Sequence, residues 1–277
     1  MIWSNNIKHL QKHPGLWFLV LLVFCAALGP VIVLDQSPMA NDMNLSRAMQ
    51  GPGSVSEMGT HWFGTDKFGR DHFSRVVLGS RISLSVGIIA VGISLLIGIP
   101  IGAAAGYFGG RLDQILTWLM SVLWSIPTLL LVIALTFVLG KGLTQVFIAV
   151  GLTMWVEVAR VVRGQFFAEK QKEYVEASKV LGFGTAHIIF KEILPNTWGP
   201  LLVICTTNFA SALLIESGLS FLGIGAQPPT PSWGSMIRDY YPYLMTGKAY
   251  LSLIPGALIA LSVLSLNSLS AALRSDD

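Results

Sequence analysis

From Ile82 to Ala105 the chain carries no charged side chain. That run exceeds the roughly 20 apolar residues that cross hydrocarbon as a helix. Further apolar runs recur at Leu16 to Leu34, Ile115 to Leu139, Val146 to Ala159, Trp198 to Leu214 and Leu251 to Leu269. A backbone inside lipid has no water to bond to, so such runs commit to helices. Composition agrees, with 53% hydrophobic and only 12% charged residues. The expected fold class is therefore all-α and integral to a membrane, with six transmembrane helices in one domain, 1–277. Six spans and their connections leave no room for a separate soluble domain. The net charge of +3 gives no case for nucleic-acid binding. Cys25 and Cys205 both fall in apolar runs, which suggests neither a disulfide framework nor a metal site.

Charge distribution sets the expected topology. Residues 1–15 contain Lys8 and Lys12 and no acid, which places them in the cytoplasm. The run 16–34 is longer than a signal-peptide core and lacks a small-residue cleavage site, so it reads as an uncleaved anchor. Residues 35–80 form a long polar extracytoplasmic loop, a length that usually means function or packing on a partner. Residues 81–272 hold the other five helices. Between spans four and five lie Arg160, Arg163, Lys170, Lys172, Lys179 and Lys191, the strongest cytoplasmic marker in the chain. Both termini are then cytoplasmic, and Gly140-Lys141-Gly142 is a tight outer turn. Gly98, Gly102 and Gly106 form a small-residue stripe suited to close helix contact. Pro100 is expected to kink span two, and Pro127 sits at mid-depth in span three. Glu157 and Arg160 are spaced to form an ion pair near the inner end of span four.

Two stretches carry the functional signal. The first is 173–196, EYVEASKVLGFGTAHIIFKEILPN, within the loop 160–197. Good helix formers fill Glu173 to Leu181, with Tyr174, Ala177, Val180 and Leu181 at helical spacing. Gly182-Phe183-Gly184 stops this helix. Thr185 is placed to cap a second helix, which Pro195 ends. The second stretch is HWFGTDKFGRDHFSRVVLGSRISL, from His61. Its glycine and aspartate pairs signal turns, and Asp71 is placed to cap a short interfacial helix bearing Phe73, Val76, Val77 and Ser80. Downstream, Glu216-Ser217-Gly218-Leu219-Ser220-Phe221-Leu222-Gly223-Ile224-Gly225, Gln227-Pro228-Pro229 and Trp233-Gly234 are too rich in glycine and proline for a regular helix. A bent re-entrant or interfacial segment is expected there.

These motifs resemble those of ABC importer permeases. Glu176-Ala177-Ser178, Gly182 and Ile193-Leu194-Pro195 look like the family's coupling loop, with Ser178 where alanine is common. Gly64-Thr65-Asp66, Gly69-Arg70-Asp71, Ser74-Arg75 and Gly79 through Leu84, including Arg81, resemble the hallmark of the C-type subunits of dipeptide, oligopeptide and nickel importers. So does the segment from Glu216 through Phe221, Leu222, Gly223, Gly225, Gln227 and Pro228 to Trp233 and Gly234. The tail departs from the family pattern after Asn267. The resemblance covers about residues 60–270. It implies a type I importer permease fold with a cytoplasmic coupling helix, in a bacterial inner membrane. Its implied partners are a second, B-type permease, two ATPase subunits and an extracytoplasmic solute-binding protein, with a peptide-class substrate. Coupling to the ATPase, by docking in a groove on that subunit, would fall to Glu173, Tyr174, Glu176, Ala177, Ser178, Leu181, Gly182, Leu194 and Pro195. The outer motif reads either as scaffold or as binding-protein contact.

The chain lacks a G-x-x-x-x-G-K-[ST] loop, so it is expected to bind no cofactor and perform no catalysis, with ATP and magnesium on partner subunits. The alternatives are a nickel or metal-chelate importer permease and, in a different class, an ATP-independent secondary transporter. The latter usually brings carboxylates to mid-membrane, and none of these spans has one centrally.

Overall fold

The computed structural model describes residues 13–32, 43–57, 59–140 and 142–275. The expected N-terminal segment to residue 12, the end of the first run at Leu34, and Lys141 of the outer turn lie outside the described residues. Helices dominate: α1 (Pro14–Ile32), α2 (His72–Phe108), α3 (Gly110–Trp124), α4 (Thr128–Leu139), α5 (Leu143–Glu169), α6 (Glu173–Val180), α7 (Trp198–Phe221), α8 (Trp233–Tyr240) and α9 (Tyr250–Ser275). One antiparallel hairpin, β1 (Ser54–Ser56) and β2 (Gly59–His61), pairs Ser54 with His61 in the loop before α2.

Helices α2, α5, α7 and α9 are long and apolar enough to cross a membrane. Helices α3 and α4 qualify together as a fifth crossing, but they meet at 88°. The third span, expected from Ile115 to Leu139 with Pro127 at mid-depth, is therefore broken. Pro127 supplies no amide hydrogen and disfavours helical backbone in the residue before it; α3 ends at Trp124 and α4 starts at Thr128, with Pro127 in its N-cap position. Helix α1, at the position of the expected first span, is a shorter apolar helix.

The core is built on α2 against α5. A Cβ on Gly98 would lie 2.6 Å from Val158 Cβ, and one on Gly106 would lie 2.6 Å from the Arg163 carbonyl. A Cβ on Gly102 would strike the Ala159 carbonyl. The stripe thus brings two backbones together, as small residues do in membranes. On α5, Val146, Ala149, Val150, Val158, Ala159 and Val162 are fully buried. Helix α1 lies on α2 and α9, with Gly15 against Ser265 and Ser268 and Gly29 against Val77.

Four other expectations are corrected. Asp71 caps a helix, accepting from Ser74 N at 2.7 Å, but that helix is α2 itself. No breaker separates 72–80 from the span, so the short interfacial helix and the re-entry at residue 81 merge into 37 residues that continue through Pro100. Glu216 to Phe221 are helical, extending α7 past the expected end at Leu214. The break comes only at Leu222-Gly223, where Gly223 has φ +81°. Thr185 does not cap; Gly184 occupies that position without a side-chain bond. Pro195 does not end its helix. The preceding residues Ile188–Ile193 form a π-helix whose wider turns bond Leu194 N to Ile189 O, and the chain stays helical to Asn196.

Candidate functional site

At one end of the helices, α6 and residues 181–184 form a projecting tip. Helix α6 is fixed from beneath: Val175 is fully buried in a cluster with Ala103, Val162, Phe166, Ile188 and Ile193, and Ser178 Oγ donates to the Tyr174 carbonyl at 3.0 Å. Tyr174 Oη donates to Glu169 Oε2 at 2.8 Å. Burial, reinforced by that carboxylate, pushes the phenol up to about 12. Lys172 Nζ holds the other Glu169 oxygen at 2.6 Å. The C-terminus of α6 closes through Gly182 N to Lys179 O (3.0 Å) and Phe183 N to Ser178 O (3.1 Å). This paired closure requires a left-handed residue, and Gly182 has φ +80°. Glu173, Glu176, Ala177, Leu181 and Gly182 are exposed, as is Pro195, while Leu194 is half-buried. Val180 is 87% exposed and Leu181 75%, and Phe183 stacks on His187 at 4.4 Å. A capped, rigid helix end thus presents apolar side chains to solvent, a pattern that marks contact with a partner.

At the far end of α2 the two glycine-rich stretches meet. Asp66 is fully buried and is the hub. Its Oδ1 accepts from Phe68 N at 2.8 Å and Arg70 N at 2.9 Å. Its Oδ2 accepts from Arg70 Nε at 2.7 Å and from Tyr240 Oη at 2.8 Å, with Arg75 Nε 3.8 Å away. Burial and the Asp66 charge both raise the Tyr240 phenol pKa. Thr65 Oγ1 bridges the Arg47 carbonyl and the Gln50 amide. Gly69 has φ +77°, and a Cβ there would strike the Asn44 carbonyl; Gly64 similarly abuts Gln50. Asp71, besides capping α2, contacts His61 Nδ1 at 2.9 Å, and His61 Nε2 contacts Ser56 Oγ at 3.0 Å.

The downstream stretch locks onto α2. Trp233 Nε1 donates to Val76 O at 3.1 Å, and a Cβ on Gly234 would meet Ser217 O at 2.5 Å. Glu216, fully buried, accepts from Ser220 Oγ at 2.7 Å and from Ser83 Oγ at 3.4 Å. Gly225 packs on Ser220, and Gln227 Nε2 donates to the Gly223 and Gly225 carbonyls at 3.0 and 3.1 Å. Pro228 sits on the rim of a cleft, while Phe221 and Leu222 are exposed. Arg81 stands apart, exposed on α2. Tyr240 and Arg238 belong to this end although no motif spacing singled them out.

Glu157 does not pair with Arg160. The Arg160 guanidinium lies 3.7 Å over the Trp124 ring and donates to Ser121 Oγ, a cation–π contact that holds α5 against the end of α3. Arg163 and Asp113 form the ion pair between those helices. Among the described residues, no group of three or more His, Cys, Asp or Glu side chains is placed to hold a metal ion.

Comparison with known proteins bears on both ends. Residues 98–275 match the family described as binding-protein-dependent transport system inner membrane component. The dipeptide transport system permease protein DppC of Bacillus subtilis (strain 168) is 41% identical over 276 residues, covering 98% of this chain and 82% of that one. The oligopeptide transport system permease protein OppC of the same organism is 38% identical, covering 99% and 88%. The di/tripeptide transport system permease protein DppC of Pseudomonas aeruginosa (strain UCBPP-PA14) is 39% identical, covering 98% and 89%. Among solved structures, a chain of the MetNI methionine ABC transporter in an inward-facing conformation superposes with a TM-score of 0.59 at 18% identity, covering 73% of this chain and 96% of that one. That likeness speaks to the fold, a type I importer permease fold.

Proposed function

The chain belongs to the family of binding-protein-dependent transport system inner membrane components, and from that premise we propose that it is the C-type permease subunit of an ATP-driven importer of di- and oligopeptides. The observation that carries the reading is the projecting tip at α6: an apolar patch of Ala177, Val180 and Leu181 on a helix anchored by Val175 and closed by Gly182. A surface so rigid and so apolar has a partner as its purpose. That partner is an ATPase subunit, one of two, which binds ATP and magnesium; this chain contributes no catalysis and holds no cofactor. A B-type permease completes the membrane pathway, and an extracytoplasmic solute-binding protein delivers the peptide. The tip and both termini face the cytoplasm, and the Asp66 cluster faces outward.

Mechanically, ATP draws the two ATPases together and with them the tips of the two permeases. Helix α2 shares the buried Val175 cluster through Ala103, so movement of the tip reaches the membrane core. Nucleotide binding shifts the equilibrium only through different affinity for the inward and outward states. The test is reconstitution of the two permeases with the ATPases and binding protein in liposomes. Uptake of a dipeptide that stops when ATP is withheld supports the reading; uptake that continues without ATP, or without any ATPase attached, overturns it.

A further inference from the structure

A cleft of about 420 Å³ lies beside Asp66, between the loop 43–70 and the segment 226–239. That size falls in the range of small-molecule sites, about 300–1,000 Å³. Its walls carry four cations, Lys67, Arg70, Arg75 and Arg238, against one acid, Asp239. Asp66 lies behind Arg70, and Asp239 is engaged by Arg238 at 3.2 Å. Arg70 is only 3% exposed. Its Nε donates to Asp66, but its two terminal nitrogens make no hydrogen bond among the described residues. Those nitrogens keep solvent access, the guanidinium lies 4.7 Å over the Phe68 ring, and a planar carboxylate is the group that fits such a fork. Phe68, Pro228 and Pro229 give the cleft apolar walls beside the charges.

We propose that this cleft is a receiving site for the C-terminal carboxylate of a short peptide, held by Arg70 and Arg238 with Lys67 at the mouth. The inference rests on the reading of the chain as a peptide permease. It assigns the two glycine-rich stretches a shared task beyond scaffolding, because one supplies Lys67 and Arg70 and the other leads into Arg238. The site takes one negative charge well. Asp239 at the rim disfavours multiply charged anions.

The test uses the assembled transporter in nanodiscs, with Thr230→Cys on the cleft wall in a Cys25→Ala, Cys205→Ala background. Met43→Cys, also on the wall, serves as a second reporter. The rate of labelling by an impermeant maleimide is measured against dialanine and against dialanine amide, which lacks the carboxylate. Half-protection by dialanine is expected at a concentration about tenfold lower than by the amide, and Lys67→Gln with Arg238→Gln abolishes the difference. Equal protection by acid and amide overturns the proposal. So does absence of protection, protection that follows anionic lipid rather than peptide, or protection that needs the binding protein and ignores the peptide terminus. ATP-driven dialanine uptake is measured on the same complex reconstituted in liposomes. If uptake persists while discrimination is absent, the cleft is wrong and the transport reading stands; if uptake itself is absent, the transport reading fails.

Discussion

Replacing Gly182 with valine isolates the geometry of the tip. Gly182 sits at φ +80°, and a Cβ added there meets nothing within 4 Å. The penalty is therefore conformational, with no clash contributing. A side chain in the left-handed region costs about 1–2 kcal/mol, and β-branching places valine at the upper end. The bonds at stake are the closing pair, Gly182 N to Lys179 O and Phe183 N to Ser178 O. At about 1.4 kcal/mol per decade, the balance between the closed tip and frayed alternatives shifts roughly 5- to 30-fold. Gly184 is the control: it has φ −70° and ψ 155°, equally open space, and a backbone any residue adopts. In liposomes, Gly182→Val should lower dipeptide uptake and ATPase stimulation together by a factor of that order, while Gly184→Val stays near the parent and both insert normally. Asparagine, which tolerates the left-handed region, should restore much of the loss. Equal activity of the two valine variants would refute the reasoning.

Three further outcomes are expected. Gly102→Leu forces α2 from α5 at the Ala159 carbonyl and should destabilise the solubilised protein by about 1–3 kcal/mol, read as a lower melting temperature, whereas Gly92→Leu, with nothing within 4 Å, should melt like the parent. Tyr240→Phe deletes one bond to the Asp66 carboxylate and should cost roughly 1.5–3 kcal/mol, seen as faster proteolysis of residues 43–70; unchanged digestion would remove Tyr240 from the cluster. In intact cells, Thr60→Cys, exposed on the hairpin, should react with an impermeant thiol reagent and Lys170→Cys should not, in the same cysteine-free background; the reverse pattern inverts the topology.

What the sequence made legible is mostly local. Asp71 as a cap, Gly182 as a helix end and Glu173 as a helix start each depend on residues within a turn, and each appears where spacing put it. The glycine stripe was legible because its period matches one helix face. The misreadings share a different cause. Gly218 was given the weight of a breaker, yet it lies inside α7 with open space around it, because a lone glycine among helix formers costs only about 1 kcal/mol and does not end a helix. The Arg160 partner is an aromatic ring on α3, 36 positions away, which the acid three positions earlier, Glu157, masked. Tyr240 and Asp66 are separated by 174 positions. Nothing in either neighbourhood announces a bond between them; only the folded arrangement of α2 and α8 does.

The unbroken course of α2 has its own consequence. At 37 residues it is a rod roughly 55 Å long, with Asp71 bound into the carboxylate cluster at one tip and Phe108 beside Phe190 at the other. A stiff strut of that span acts as a lever: tilting it about one end by about 5° sweeps the other through roughly 5 Å. Under the proposed docking of an ATPase at the α6 tip, slight rocking at the Phe108 end would displace the Asp71 end, beside the arginine-lined cleft, by several ångströms.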